Sequence, residues 1–211
     1  MSSNRKEILY SIGLGIILMI IALIIQSILQ SIPEIYFLAR FGAKVLSQKI
    51  VGLEMGYPLL YAIYIGGLAG IMQELFKYLG VGLKPKQFAS WIGLGFSLVD
   101  IFVLLIDVSL TRLVSIFILL NIIVSLSFHP GTAMLLKYGR LINRKYLFLA
   151  TAIILHAFID GGVAYLDILE ILIKAKNMYL YTNAYWAIVM VISLSVLLTS
   201  WVLINRVEEK Q

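Results

Sequence analysis

The sequence predicts an all-α, polytopic membrane protein, with six to seven transmembrane helices around a polar intramembrane cavity. Three observations lead there. Hydrophobic residues fill 61% of the 211 positions and charged residues only 13%, against about 25% charged in an ordinary soluble domain. The apolar residues gather into runs close to the ~20 residues a helix needs to cross a bilayer. Lysines and arginines stand at the ends of those runs, so the net charge of +6 points to membrane orientation and not to nucleic-acid binding.

Residues 1–211 are expected to form one integral membrane domain. A basic start at Arg5 and Lys6 leads into a first span over about 8–30. That run is longer than a signal-peptide core and lacks a small-residue cleavage site, so it is expected to be retained. Further spans are expected over about 58–80, 88–109, 113–137, 146–167 and 179–204. Pro130 lies inside the fourth of these and removes a backbone donor, which leaves either a continuous span or a break at that point open. Residues 32–51 lie between the first two spans. Ser31 and Glu34 have the spacing of a capping box, and Pro33 falls in the first turn. Arg40, Lys44 and Gln48 then recur every four residues and give one polar face, so an amphipathic interfacial helix is expected.

With the N-terminus inside, eleven of the basic residues fall on inner segments: Arg5, Lys6, Lys77, Lys84, Lys86, Lys137, Arg140, Arg144, Lys145, Arg206 and Lys210. Six fall outside: Arg40, Lys44, Lys49, Arg112, Lys174 and Lys176. The positive-inside bias therefore favours a multi-pass protein of the cell membrane with both termini in the cytoplasm. There is no cysteine, which excludes disulfides and thiolate metal sites.

The chemistry sits inside the spans. An ionisable side chain in hydrocarbon is expensive, and by default marks a functional site facing the bundle interior. Glu74 follows Gly66 and Gly70 at spacings of four, on a face whose small residues allow close helix approach. Lys77, one turn on, either pairs with Glu74 or snorkels to the inner interface. Asn121, Ser125 and His129 form a polar stripe on another span, and His156 and Asp160 share a face of the next. At ~1.5 Å per residue, Glu74, His129 and His156 lie roughly 9, 12 and 15 Å from the inner ends of their spans. Three helices thus bring polar groups to a similar level in the inner half of the membrane, around a cavity expected to open to the cytoplasm. Asp100, near the middle of the third span, is a supporting or proton-path candidate, and Asp107 and Asp167 fall near the outer interface. The chain contains neither the H-E-x-x-H motif of zincins nor a G-x-S-x-G nucleophile elbow.

The segments QELFKYLG (Gln73 to Gly80), FHPGTAML (Phe128 to Leu135) and HAFIDGG (His156 to Gly162) resemble the three motifs of the CAAX-protease and bacteriocin-processing superfamily of intramembrane endopeptidases, most closely its YhfC and PrsW branches. Those families carry a Glu-Glu pair followed by a basic residue, a histidine on a later helix, and then His-x-x-x-Asn or His-x-x-x-Asp. The order and helix spacing match over roughly residues 66–166. The resemblance implies that Glu74 activates a water, and that His129 and His156 bind a metal or stabilise an oxyanion. It puts Asp160 in the place of the final Asn or Asp, and Lys77 in that of the basic residue. The chain departs from the pattern at Gln73, where the family has its first glutamate, and at Ser125, where an Rce-type motif has phenylalanine. The superfamily also has a non-proteolytic relative, the anterior-pharynx-defective subunit of gamma-secretase, which keeps its membrane histidines as a scaffold.

The resulting expectation is an endopeptidase acting on a membrane-associated peptide or protein, with catalytic Glu74, His129, His156 and Asp160 and supporting Gln73, Lys77 and Asp100. Two mechanisms remain open. Glu74, His129 and His156 could supply three ligands to Zn2+, with Asp160 as the base, or Glu74 could be the base and the histidines oxyanion donors without an ion. A packing scaffold and a small ion-coupled carrier are the alternatives.

Overall fold

The computed structural model describes residues 2–111, 116–173 and 178–208. It contains eight α-helices: α1 (Ser2–Gln30), α2 (Ile32–Phe41), α3 (Ala43–Gly56), α4 (Pro58–Gly82), α5 (Ala89–Thr111), α6 (Ile116–Leu141), α7 (Lys145–Ile173) and α8 (Met178–Arg206). A 3-10 turn, Lys86–Phe88, leads into α5. No strand occurs among the described residues. Six helices are long and apolar enough to cross a membrane, with α1 and α2 counted together as one. Five of them begin and end within four residues of the expected spans, whereas the first, Asn4–Phe41, takes in α2 and runs past the expected end at residue 30. Arg112, Lys174, Lys176 and Lys210, which entered the charge comparison, lie outside the described residues, as does the start of the expected span at 113.

The long helices alternate in direction. One end of the bundle gathers the N-terminus, the α4–α5 and α6–α7 turns and the C-terminal end of α8, and is called here the terminal face. It is tied together by basic side chains. Lys84 donates to Glu7 Oε2 at 2.8 Å, Lys137 to the Lys84 carbonyl at 2.6 Å, and Lys86 to the carbonyl of Val207. Arg140 donates to the Tyr78 carbonyl at 3.0 Å, with its guanidinium 3.7 Å from the centroid of the Tyr78 ring. The opposite end, the distal face, carries the joint between α1 and α2, the start of α4 and the ends of α5 and α7.

Small residues set the helix contacts, as expected where lipid offers no hydrophobic drive for helices to associate. A Cβ on Gly70 would lie 2.6 Å from the Ile153 carbonyl oxygen, and one on Gly66 would collide with Ala157 and Gly161, so α4 and α7 meet backbone to backbone. Gly15 and Gly95 bring α1 onto α5 in the same way, Gly93 brings α5 onto α6 beside the His129 carbonyl, and Gly131 seats α6 against Leu197 of α8. Towards the terminal face the space between helices is filled by an apolar core of Met19, Val81, Ile92, Phe96, Met134 and Leu136.

Two local expectations change. The interfacial segment is not one helix: it breaks at Gly42, whose φ of +77° and ψ of 169° suit glycine alone. The resulting α2 and α3 bury no residue. Ser31 does not form the capping box. Its hydroxyl instead donates to the Ser27 carbonyl at 2.8 Å, although Pro33 does take the first turn. Pro130 does not end α6, which runs through it with the proline fully enclosed among α5, α6 and α8.

Candidate functional site

Glu74 is fully buried on the glycine face of α4 that packs against α7, so its carboxylate is aimed at His156. Its Oε1 lies 2.7 Å from His156 Nδ1 and accepts from Lys77 Nζ at 2.6 Å. The Thr132 hydroxyl is 3.4 Å away. Its other oxygen, Oε2, is buried and has no protein partner among the described residues.

Lys77 does not snorkel. Its side chain is fully buried, and its three ammonium hydrogens meet three acceptors: Glu74 Oε1 at 2.6 Å, Thr132 Oγ1 at 2.8 Å and His129 Nδ1 at 3.0 Å. The rings of Phe96 and Phe128 stand 5.2 and 5.8 Å from the nitrogen, at cation–π range. A buried charge needs this degree of pairing, because an uncompensated one costs several kcal/mol.

The two imidazoles lie side by side with centroids 5.4 Å apart. Each turns Nδ1 towards the Glu74–Lys77 pair and Nε2 towards an aspartate. His129 Nε2 is 3.7 Å from Asp100 Oδ2, and His156 Nε2 is 3.5 Å from Asp160 Oδ2. The His129 Nδ1 accepts from an ammonium, which leaves its Nε2 as the N–H facing Asp100. His156 has a carboxylate at each nitrogen, and each calls for a donor. Asp100 and Asp160 are the partly exposed members of the cluster, with side chains 39% and 35% accessible where Glu74 and Lys77 are wholly enclosed. The order Asp160–His156–Glu74–Lys77–His129–Asp100 therefore forms one continuous polar chain across α7, α4, α6 and α5.

All of the expected site residues except Gln73 belong to this cluster. Gln73 points the other way, because consecutive helical residues lie about 100° apart around the axis. Its Nε2 donates to Gln26 Oε1 at 3.0 Å, and Gln26 continues to Gln30 at 3.4 Å, forming an amide ladder between α4 and α1. Thr132, Phe96 and Phe128 join the cluster around Lys77 beyond the expected residues. Thr132 was accessible to the same spacing rule, since it lies three residues from His129 and so on the same face. Nothing in the sequence signals the two phenylalanines around Lys77.

The imidazoles and aspartates wall a cavity of about 170 Å³, whose lining also includes Asn121, Ser125, Val163 and Trp186. Glu74 and Lys77 lie behind the histidines and do not line it. Among the described residues, the expected opening towards the terminal face is not found. The lining runs from the histidines to Asn121 on α6, Val163 on α7 and Trp186 on α8, all on the distal side, because the terminal half is filled by the apolar core. A second cavity of about 330 Å³ shares Val163 and Trp186 with the first and continues in the same direction past Asp167 and Glu170, both exposed.

Glu74, His129 and His156 each offer a ligand atom, all within 4.8 Å of one another, and such a buried group could hold a metal ion. The aspartates behind the histidines would suit that role, since metal-bound imidazoles commonly donate their far N–H to a carboxylate. Lys77 argues the other way. Its ammonium already sits against Glu74 Oε1 and His129 Nδ1, so the cationic position among these ligands is filled from within the chain. A divalent ion would share the triangle with a positive charge. A metal held by Glu74, His129 and His156 would therefore have to displace the ammonium from Glu74 Oε1 and His129 Nδ1.

No family model, no curated protein and no solved structure matches the chain. The fold and the cluster define it as an all-α membrane protein with a buried Glu–Lys–His–His core flanked by two partly exposed aspartates.

Proposed function

We propose that the protein is an intramembrane endopeptidase of the CAAX-protease type, hydrolysing a peptide bond in a membrane-associated substrate without a metal, with both termini in the cytoplasm. One observation carries the reading: a glutamate with an unshared buried oxygen stands against two histidines that open onto a cavity. Glu74 Oε2 is buried and has no protein partner among the described residues; because Glu74 lies behind the histidines and does not line the cavity, a water that gives it a proton has to enter between the two rings. Its approach is set by His156 and Lys77, which hold the other oxygen. His129 and His156 present N–H groups at the cavity wall, where they can donate to the oxyanion of a tetrahedral intermediate. Asp100 and Asp160 orient the two rings. The first cavity has room for a peptide bond and its water but not for a folded substrate, since sites for larger ligands run to about 300–1,000 Å³. The substrate is therefore a locally extended segment.

The test is a comparison of new protein N-termini in membranes of cells expressing the wild type or the Glu74→Gln/Lys77→Met double variant, in which both buried charges are removed together. Termini that appear with the wild type and not with the variant are expected. Equal termini in both, from a variant that is folded and present at equal level, would sink the protease reading. A scaffold would leave the variant's complexes intact with no cleavage in either sample. A carrier would show wild-type ion flux in vesicles that the variant lacks.

A further inference from the structure

We propose that the Glu74–His129–His156 site is entered from the membrane face opposite both termini, and that its substrate is a polypeptide segment presented on that face. The second half rests on the hydrolase reading; the first half does not. The cavity is one-sided. Measured along each helix from the histidine level, its lining residues Asn121, Ser125, Val163 and Trp186 all lie towards the distal face. The second cavity, which shares Val163 and Trp186, extends the opening to Glu170 on α7 and Met178 at the start of α8.

On the other side the way is shut. Below the Glu74–Lys77 pair, Val81, Phe96, Met134 and Leu136 are at most 5% exposed. Beyond them the terminal face is laced by Lys84, Lys137 and Arg140 through hydrogen bonds to backbone carbonyls and to Glu7. Water reaching the imidazoles from that face would have to cross the dry core. By the positive-inside bias the terminal face is the cytoplasmic one, so the cavity looks outwards. The substrate class that fits is an unfolded stretch of an exported protein or the outer end of a membrane-anchored one. A cytosolic tail would meet the closed side.

The chain has no cysteine, so single thiols report access without background. Asn121→Cys and Val163→Cys place a thiol in the cavity wall, Arg144→Cys places one on the exposed terminal-face turn, and Ala133→Cys places one in the dry core. The probe is a membrane-impermeant charged maleimide applied to intact cells and then to opened membranes. Asn121→Cys and Val163→Cys are expected to label in intact cells, at least tenfold faster than Ala133→Cys, while Arg144→Cys labels only after opening. Labelling of both cavity thiols only from the side that labels Arg144→Cys overturns the proposal, and so does failure of both to label from either side. If both label from the distal face and no peptide is cleaved, the hydrolase reading fails and the route of access stands. If cleavage occurs but every new terminus maps to a cytosolic segment, the substrate half is overturned.

Discussion

Lys77 is the residue whose loss the structure prices most clearly. It is fully buried, and its three hydrogen bonds at 2.6, 2.8 and 3.0 Å exhaust its donors. Lys77→Met keeps the stem and deletes the ammonium. Glu74 is then left with His156 at 2.7 Å and the Thr132 hydroxyl at 3.4 Å. Breaking a buried ion pair from one side costs about 3–5 kcal/mol, whereas replacing both members with neutral groups is often close to neutral. The remaining His156 contact puts the single variant near the lower end, about 3 kcal/mol. Glu74→Gln alone strands the ammonium and is expected to cost a similar amount. The double variant is expected within about 1 kcal/mol of wild type, because no unpaired charge is left. The coupling between the two sites is then at least about 5 kcal/mol, far above the few tenths expected for independent positions. The assay is reversible unfolding of the purified protein in mixed micelles, followed by tryptophan fluorescence, for all four members of the cycle. Additive single-variant costs, or a Lys77→Met variant within about 0.5 kcal/mol of wild type, would refute the assignment of this pair as the electrostatic centre of the fold.

Other outcomes follow from the same geometry. Purified wild type is expected to hold less than a tenth of an equivalent of zinc by elemental analysis after exposure to Zn2+ and washing, and Lys77→Met to retain more, since the cationic position is then open; stoichiometric zinc in the wild type would count against the metal-free reading. Gly66→Leu should cost more than about 3 kcal/mol and separate α4 from α7, because the added side chain meets the backbone of Ala157 and Gly161; a melting temperature within a degree or two of wild type counts against the packing. Gly42→Ala, at φ +77°, should cost about 1–3 kcal/mol locally, seen as faster amide exchange in α2 and α3 with the exchange of α4 and α7 unchanged.

The outline of the fold was legible because hydrocarbon imposes a simple rule on sequence. A run of about 20 apolar residues has few other uses, and the six long helices fall where those runs are. The faces of Glu74 and His156 were legible from spacing alone, because Gly66, Gly70 and Glu74 share one helix stripe and His156 and Asp160 another. Gln73 shows the limit of motif matching. Aligned to a family's first glutamate it looks like a site residue, but its place in the helix turns it to Gln26. Spacing on one helix leaves Lys77 between pairing and snorkelling, because it says nothing about acceptors on another. The choice was made by Thr132 and His129, which arrive from α6. The direction of the cavity was not legible at all. It depends on which half of the bundle is filled by side chains, and residues such as Met134 and Leu136 look the same in sequence whether they face a core or lipid.

The contacts that hold the cluster are unevenly distributed among its walls. The seam between α4 and α7 is backbone against backbone at Gly66 and Gly70, so neither helix can acquire a single methyl group there without moving Glu74 relative to His156. The last wall is built differently. Helix α8 lies along α6, and reaches α7 through the ring of Tyr185, which packs on Gly162 and donates to the carbonyl of Ile159. Trp186, its neighbour, faces the cavity. A substitution at Trp186 therefore changes what the cavity admits without touching the Gly66–Gly70 seam that sets Glu74 against His156.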